Sequence, residues 1–118
     1  MLKTTYSMRS RIPHKVYVSG PITNTPNHIK EFREAVEFLK YDGHKVLDPL
    51  TITPSKVILS EDKEWVYYMK ESIKLLMDAD AIYMLDGWQQ SKGATVEHDL
   101  AEKLSIPIYY ASEDHKYV

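Results

Sequence analysis

Short runs of β-branched and aromatic residues alternate along the chain with longer stretches in which apolar residues recur every three or four positions. Lys15-Val-Tyr-Val-Ser-Gly is a run of the first kind, ended by Gly20 and Pro21, and it predicts a strand followed by a sharp turn. Over residues 27–41, Ile29, Phe32, Val36 and Leu39 fall at helical spacing, and Gly43 supplies a C-terminal stop. Residues 44–48 read as a second strand, ended by Pro49. From 49 to about 62 there are two prolines, Pro49 and Pro54, and no period, which predicts a long loop. A second helix over 63–77 carries Trp65, Met69, Ile73 and Leu76 as its buried stripe. Residues 80–85 form a third strand, 86–93 a polar loop, 94–104 a third helix and 106–110 a fourth strand.

Strands that alternate with helices of this length imply βαβ crossovers. The expected fold is α/β: a three-layer sandwich around a small parallel sheet of four to five strands, Rossmann/flavodoxin-like. Ligands of such sheets sit beyond the carboxyl ends of the strands, so residues 19–23, 48–50 and 86–93 should converge at one rim.

Length and composition narrow the function. The 118 residues suit one domain, read as spanning 1–118, with residues 1–13 as an N-terminal arm. That arm carries Lys3, Arg9 and Arg11 but not the apolar stretch of a secretory signal. A formal charge of -2 offers no global attraction to nucleic acid or anionic lipid, and no run reaches membrane-spanning length. Neither nucleic acid nor membrane is therefore expected as a partner; a small molecule is. The absence of cysteine removes disulfides and thiolate chemistry and fits a cytoplasmic setting. His14, His28, His44, His98 and His115 are scattered without metal-binding spacing, so no metal and no cofactor is expected.

Glu97 breaks the pattern. On the third helix Leu100, Ala101 and Leu104 form the inward stripe, and counting back three and four positions lands on Glu97. A carboxylate in an apolar stripe is costly unless it has a partner or a task. Placed in the first turn, it would be kept ionised by unpaired amides and the macrodipole, available as nucleophile or base. A plain alternative is a glutamate that reaches out to solvent. Its position beside the strand-end rim favours function, and rim position also makes Asp86 the choice for the acid that protonates a leaving group.

Three segments, Tyr17-Val-Ser-Gly-Pro-Ile, Asp80-Ala-Ile-Tyr-Met-Leu-Asp-Gly-Trp and Ser91-Lys-Gly-Ala-Thr-Val-Glu followed by Leu100-Ala, together resemble the nucleoside 2-deoxyribosyltransferase-like superfamily. That group includes deoxyribosyltransferases and deoxynucleoside 5'-monophosphate N-glycosidases. The resemblance implies that Glu97 attacks the anomeric carbon of deoxyribose and displaces the nucleobase, with retention after a second displacement. It implies further that Tyr17, Ser19, Gly20, Pro21 and Ile22 line the sugar and base pocket, and that Ser91 and Gly93 hold a phosphate. Trp88 is a candidate to stack on a base. Family members commonly form homo-oligomers, which Tyr67, Tyr109 and Tyr110 permit. Two departures stand out. Ser72 occupies the place of a common family aspartate, and Pro21 and Thr23 replace a serine and an arginine of the monophosphate-cleaving branch. The departure at Ser72 keeps a second function in play, a nucleotide-binding or sequestering module without efficient turnover.

Overall fold

Alternation along the first strand, β1 (Lys15–Ser19), sends Val16 and Val18 to one face of a sheet and Tyr17 and Ser19 to the other. The computed structural model describes residues 14–22, 26–55, 57 and 59–115. Around β1 lie β2 (Lys45–Leu47), β3 (Ala81–Met84) and β4 (Ile108–Tyr110), in the order β2-β1-β3-β4. Every pairing is parallel, with Tyr17 opposite both Leu47 and Ile82, and Ile82 opposite Ile108.

The helices are α1 (Pro26–Tyr41), α2 (Glu61–Met77), α3 (Lys92–Lys103) and a short α4 (Ala111–His115). The chain leaves β1 in one direction along the sheet to form β2, then crosses back over β1 to β3 and β4. Because parallel crossovers are right-handed, that reversal must put α1 on the opposite face from α2 and α3. The packing agrees. Phe32, Ala35, Val36 and Leu39 of α1 cover Val16, Val18, Ala81 and Tyr83, while Leu76 of α2 and Ala94 and Ala101 of α3 cover Tyr17, Ile82 and Met84. The result is the expected three-layer α/β sandwich, with a reversal point between β1 and β3 where such sheets open a crevice.

Caps fix the helix ends. Gly43 adopts φ +92°, and the amides of Gly43 and His44 return to the carbonyls of Lys40 and Leu39, closing α1. Ser60 opens α2 by accepting from the Lys63 amide, and Glu61, Asp62 and Glu64 follow in the first turn, where the macrodipole favours them. This cap starts α2 two residues before the predicted boundary. The stripe of α2 is also turned: Met69, Ser72 and Leu76 are its buried residues, and Ile73 is only half-buried. The predicted loop over 49–62 contains a 3₁₀ turn, Pro49–Thr51, opened by Asp48, whose carboxylate accepts from the Leu50 amide. α4 was not predicted, since five residues after a strand carry no period. Thr23 and the arm over residues 1–13 lie outside the described residues.

Candidate active site

Ser91 ends the β3–α3 loop and caps α3, its hydroxyl accepting from the Ala94 amide at 3.2 Å. With the helix opening at Lys92, Glu97 is its sixth residue and sits in the second turn. This corrects the first-turn placement expected from a helix over 94–104: the Ser91 cap starts α3 two residues earlier, and the unpaired amides belong to residues before Glu97. The inward stripe is also different, since Leu104 is 51% exposed and the buried residues are Ala94, Glu97 and Ala101. The two alanines on either side of Glu97 are small enough to bring α3 close to the sheet.

That approach delivers Glu97 to β1. Glu97 is only 4% exposed, and both carboxylate oxygens are gripped: Tyr17 donates to Oε2 at 2.7 Å and Ser19 donates to Oε1 at 2.6 Å. The period-2 alternation of Lys15-Val-Tyr-Val-Ser sets these two hydroxyls on one face, one above the other. Burial pushes the Glu97 carboxyl above its ordinary range, and the hydroxyls of Ser19, Tyr17 and Ser72 oppose that rise. Burial and then Glu97 itself hold the Tyr17 phenol well above the usual tyrosine range, so it stays a donor. Side-chain hydroxyls, rather than helix-end amides, therefore compensate the carboxylate. Tyr17→Phe is expected to move the Glu97 titration to higher pH, read by ¹³C NMR of glutamate-labelled protein; an unchanged or lower midpoint would show that the bond does not stabilise the anion.

Glu97 still reaches open space. It forms part of the wall of a cavity of about 510 Å³, with Gly20 and Ile22 after β1, Ser91, Gly93 and Ala94 at the start of α3, and Glu64, Trp65, Tyr68 and Met69 from α2. A neighbouring cavity of about 410 Å³ shares Ile22, Trp65, Ser91 and Gly93 and adds Pro21, His28 and Lys92. The Lys92 ammonium rests 4.0 Å from the centre of the Trp65 ring, bridging α3 to α2 at this boundary.

The sequence-predicted residues thus divide. Gly20, Ile22, Ser91, Gly93 and Glu97 line the main cavity, and Pro21 lines its neighbour. Tyr17 and Ser19 hold the carboxylate from behind. Two candidates lie elsewhere. Trp88 stacks on His98 at 4.1 Å and packs beside Tyr110, because the 3₁₀ turn Trp88–Gln90 folds it back toward the end of the sheet. Asp86 lines a separate cavity with Glu31, Glu34 and Phe38 of α1. The chain leaves β3 through Leu85, which packs in the α1-side core, and Asp86 continues on that side.

The face of α2 was missed. Glu64, Trp65, Tyr68, Met69 and Ser72 follow the i, i+1, i+4, i+5, i+8 spacing of one helical face, a signal hidden by reading Trp65 and Met69 as core. Gly20, which lines the cavity, is also required by packing. A Cβ there would lie 2.8 Å from the Leu85 Cβ, so Gly20→Ala should cost about 1–3 kcal/mol in thermal denaturation, with Leu85→Ala relieving part of the clash in the double variant.

A family model described as a domain of unknown function, DUF4406, matches residues 14–110. This chain belongs to that family. The fold of this DUF4406 domain is similar to that of a 2-deoxyribosyltransferase from the psychrotolerant bacterium Bacillus psychrosaccharolyticus, with a TM-score of 0.67 and 20% identity over 81% of this chain and 70% of that one. It is also similar to a conserved protein from Enterococcus faecalis V583, with a TM-score of 0.58 and 17% identity, covering 84% of this chain and 63% of that protein. No curated protein matches. The DUF4406 domain therefore has the 2-deoxyribosyltransferase-like fold that its three segments implied. Among its described residues, no helix is long and apolar enough to cross a membrane.

Proposed function

We propose that this DUF4406 domain cleaves or transfers at the N-glycosidic bond of a 2'-deoxynucleoside or its 5'-monophosphate, with Glu97 as nucleophile. The observation that carries this is a buried glutamate, its carboxylate oriented by Tyr17 and Ser19, that nonetheless lines a cavity of about 510 Å³. Burying a carboxylate costs several kcal/mol, and two fitted hydroxyls orient it without neutralising it, which suits a group kept for attack. Two of its lone-pair positions are taken by those hydroxyls. The others are available to the cavity.

In this mechanism a Glu97 oxygen forms a bond to the anomeric carbon as the bond from that carbon to the base nitrogen breaks, and the base leaves with the electron pair and collects a proton. Water or a second base then attacks the same carbon and releases Glu97, so configuration is retained. Asp86 is not part of this proposal, because it lines the cavity on the α1 side. Glu64 is the other carboxylate in the wall of the Glu97 cavity and takes its place as the candidate acid. Similarity of fold to a 2-deoxyribosyltransferase supports the substrate class. The same reading carries a homo-oligomer in the cytoplasm; exposed Leu104, Val57 and Val66 supply apolar surface for such contacts.

Ser72 favours the second reading, a nucleotide-binding or sequestering module, since no carboxylate stands at the family aspartate's position. One assay separates the two: incubation with a panel of 2'-deoxynucleosides and 5'-monophosphates, with and without an acceptor base, followed by chromatography of free base. Base release or exchange that disappears in Glu97→Gln supports the nucleophile. Tight binding with no released base supports sequestration.

A further inference from the structure

Tyr68 stands on α2 in the wall of the Glu97 cavity, and its hydroxyl oxygen is buried without a hydrogen-bond partner among the described residues. A buried donor left unmet is destabilising, and in native proteins each one calls for an explanation. The surrounding hydroxyls are already committed. Tyr17 and Ser19 donate to Glu97, and Ser72 donates to the Met69 carbonyl at 3.1 Å. Ser91, at the mouth of α3, accepts from the Ala94 amide. Of the hydroxyls packed around Glu97 among the described residues, that of Tyr68 is the buried one left for a group that enters the cavity.

Its surroundings narrow what that group can be. Burial first, then Glu97 and Asp48, push the ionisation of the Tyr68 phenol far above the usual range, so it remains a donor throughout physiological pH. Two carboxylates near one phenol also repel a phosphate or carboxylate ligand at that spot. A sugar hydroxyl suits it, because it is neutral, accepts from the phenol, and still has a proton to donate to a nearby carboxylate. We propose that Tyr68 is the pentose-binding residue of this cavity, donating its hydroxyl hydrogen bond to a sugar hydroxyl oxygen beside Glu97. The assignment rests on the deoxynucleoside reading above and deepens it, since a sugar presented to Glu97 for attack at its anomeric carbon must lie against this wall.

Tyr68→Phe removes the oxygen and keeps the ring. Its Tm should equal or exceed that of the wild type, because the lost hydroxyl had no partner. Binding is measured by calorimetry with a 2'-deoxynucleoside and with its 2',3'-dideoxy and 2',5'-dideoxy analogues. The variant should bind the parent compound roughly tenfold more weakly, the size of one hydrogen bond to a neutral group. One of the two analogues should bind wild type and variant alike, identifying the hydroxyl that Tyr68 contacts. Unchanged affinity for the parent would overturn the proposal, as would an equal loss for the parent and both analogues. Base release is scored separately. Wild type that shows this Tyr68-dependent binding but frees no base supports the sugar contact and ends the glycosidic mechanism; wild type that frees base, with Tyr68→Phe unimpaired in binding and rate, does the reverse. Wild type that binds no deoxynucleoside overturns both.

Discussion

Glu97→Gln is expected to reduce base release about ten-thousand-fold or more while leaving the protein folded. The amide has nearly the shape of the carboxylate but cannot attack a carbon, and loss of a nucleophile is among the largest single-residue effects in enzymes. Stability should respond oppositely, and its pH dependence gives a second readout. Burial raises the folded carboxyl above its ordinary value of 4.5, so folded protein holds this proton more tightly than unfolded chain does. Below 4.5 both states carry the proton and Glu97 imposes no penalty. As pH rises past 4.5 the unfolded chain releases its proton first, and the stability that Glu97 allows falls until the folded-state value is passed, then levels off. The loss is about 1.4 kcal/mol for each pH unit separating the two values. Glutamine has no such proton. The Tm of Glu97→Gln relative to wild type should therefore rise as pH increases above 4.5 and then become constant. A difference that is flat or falls across this range would show that Glu97 is not held above its ordinary value.

Ser72→Asp, which restores the residue common in the resembling superfamily, should destabilise the protein by roughly 3 kcal/mol, lowering Tm by more than about 10 °C for a domain of this size. Ser72 is fully buried, donates back to the Met69 carbonyl and lies near enough to help hold Glu97 ionised. An aspartate in that spot adds a second carboxylate to a dry site that already contains one, so both cannot be charged cheaply. Destabilisation should be larger at pH 8 than at pH 5, where one carboxyl can stay protonated. Ser72→Ala provides the contrast, with a cost of about 1 kcal/mol or less for one weak local bond. Wild-type stability in Ser72→Asp would mean that the position faces open cavity rather than core, and base release should then be re-measured in that variant.

Much of the fold was readable because its signals are local. The β-branched run at Lys15 to Ser19, the spacing of Phe32, Val36 and Leu39, and the stop at Gly43 each specify an element without help from distant residues. Glu97 was readable for a related reason, since a charge in an apolar stripe is visible before any packing is known. What held it was not. The hydroxyls of Tyr17 and Ser19 come from a strand about eighty residues away in sequence, and only the close approach of α3 to the sheet joins them. Asp86 and Trp88 fell outside the cavity because side-chain direction in a turn has no period to read, and the left-handed Gly87 between them redirects the chain. Ser72 and Ile73 exchanged places for a smaller cause. A helical stripe drawn at 65, 69, 73 and 76 differs by one residue from the observed burial at 69, 72 and 76, and composition favours the isoleucine.

The cavity has two walls of separate origin. Glu97 with its supporting hydroxyls is rooted in α3 and β1, while Glu64, Trp65 and Tyr68 project from α2 alone. On the proposed mechanism the nucleophile and its supports thus come from one wall, while α2 brings the candidate acid Glu64 together with the ligand-facing Trp65 and Tyr68. A small combinatorial library at Trp65 and Tyr68 is the way to retarget the domain to new sugars or bases while Tyr17, Ser19, Glu64 and Glu97 stay untouched. Gly93 marks the limit of that freedom. A Cβ there would sit 3.0 Å from the Met69 sulfur, so the spacing between the walls is set by the one place where α3 carries no side chain against α2.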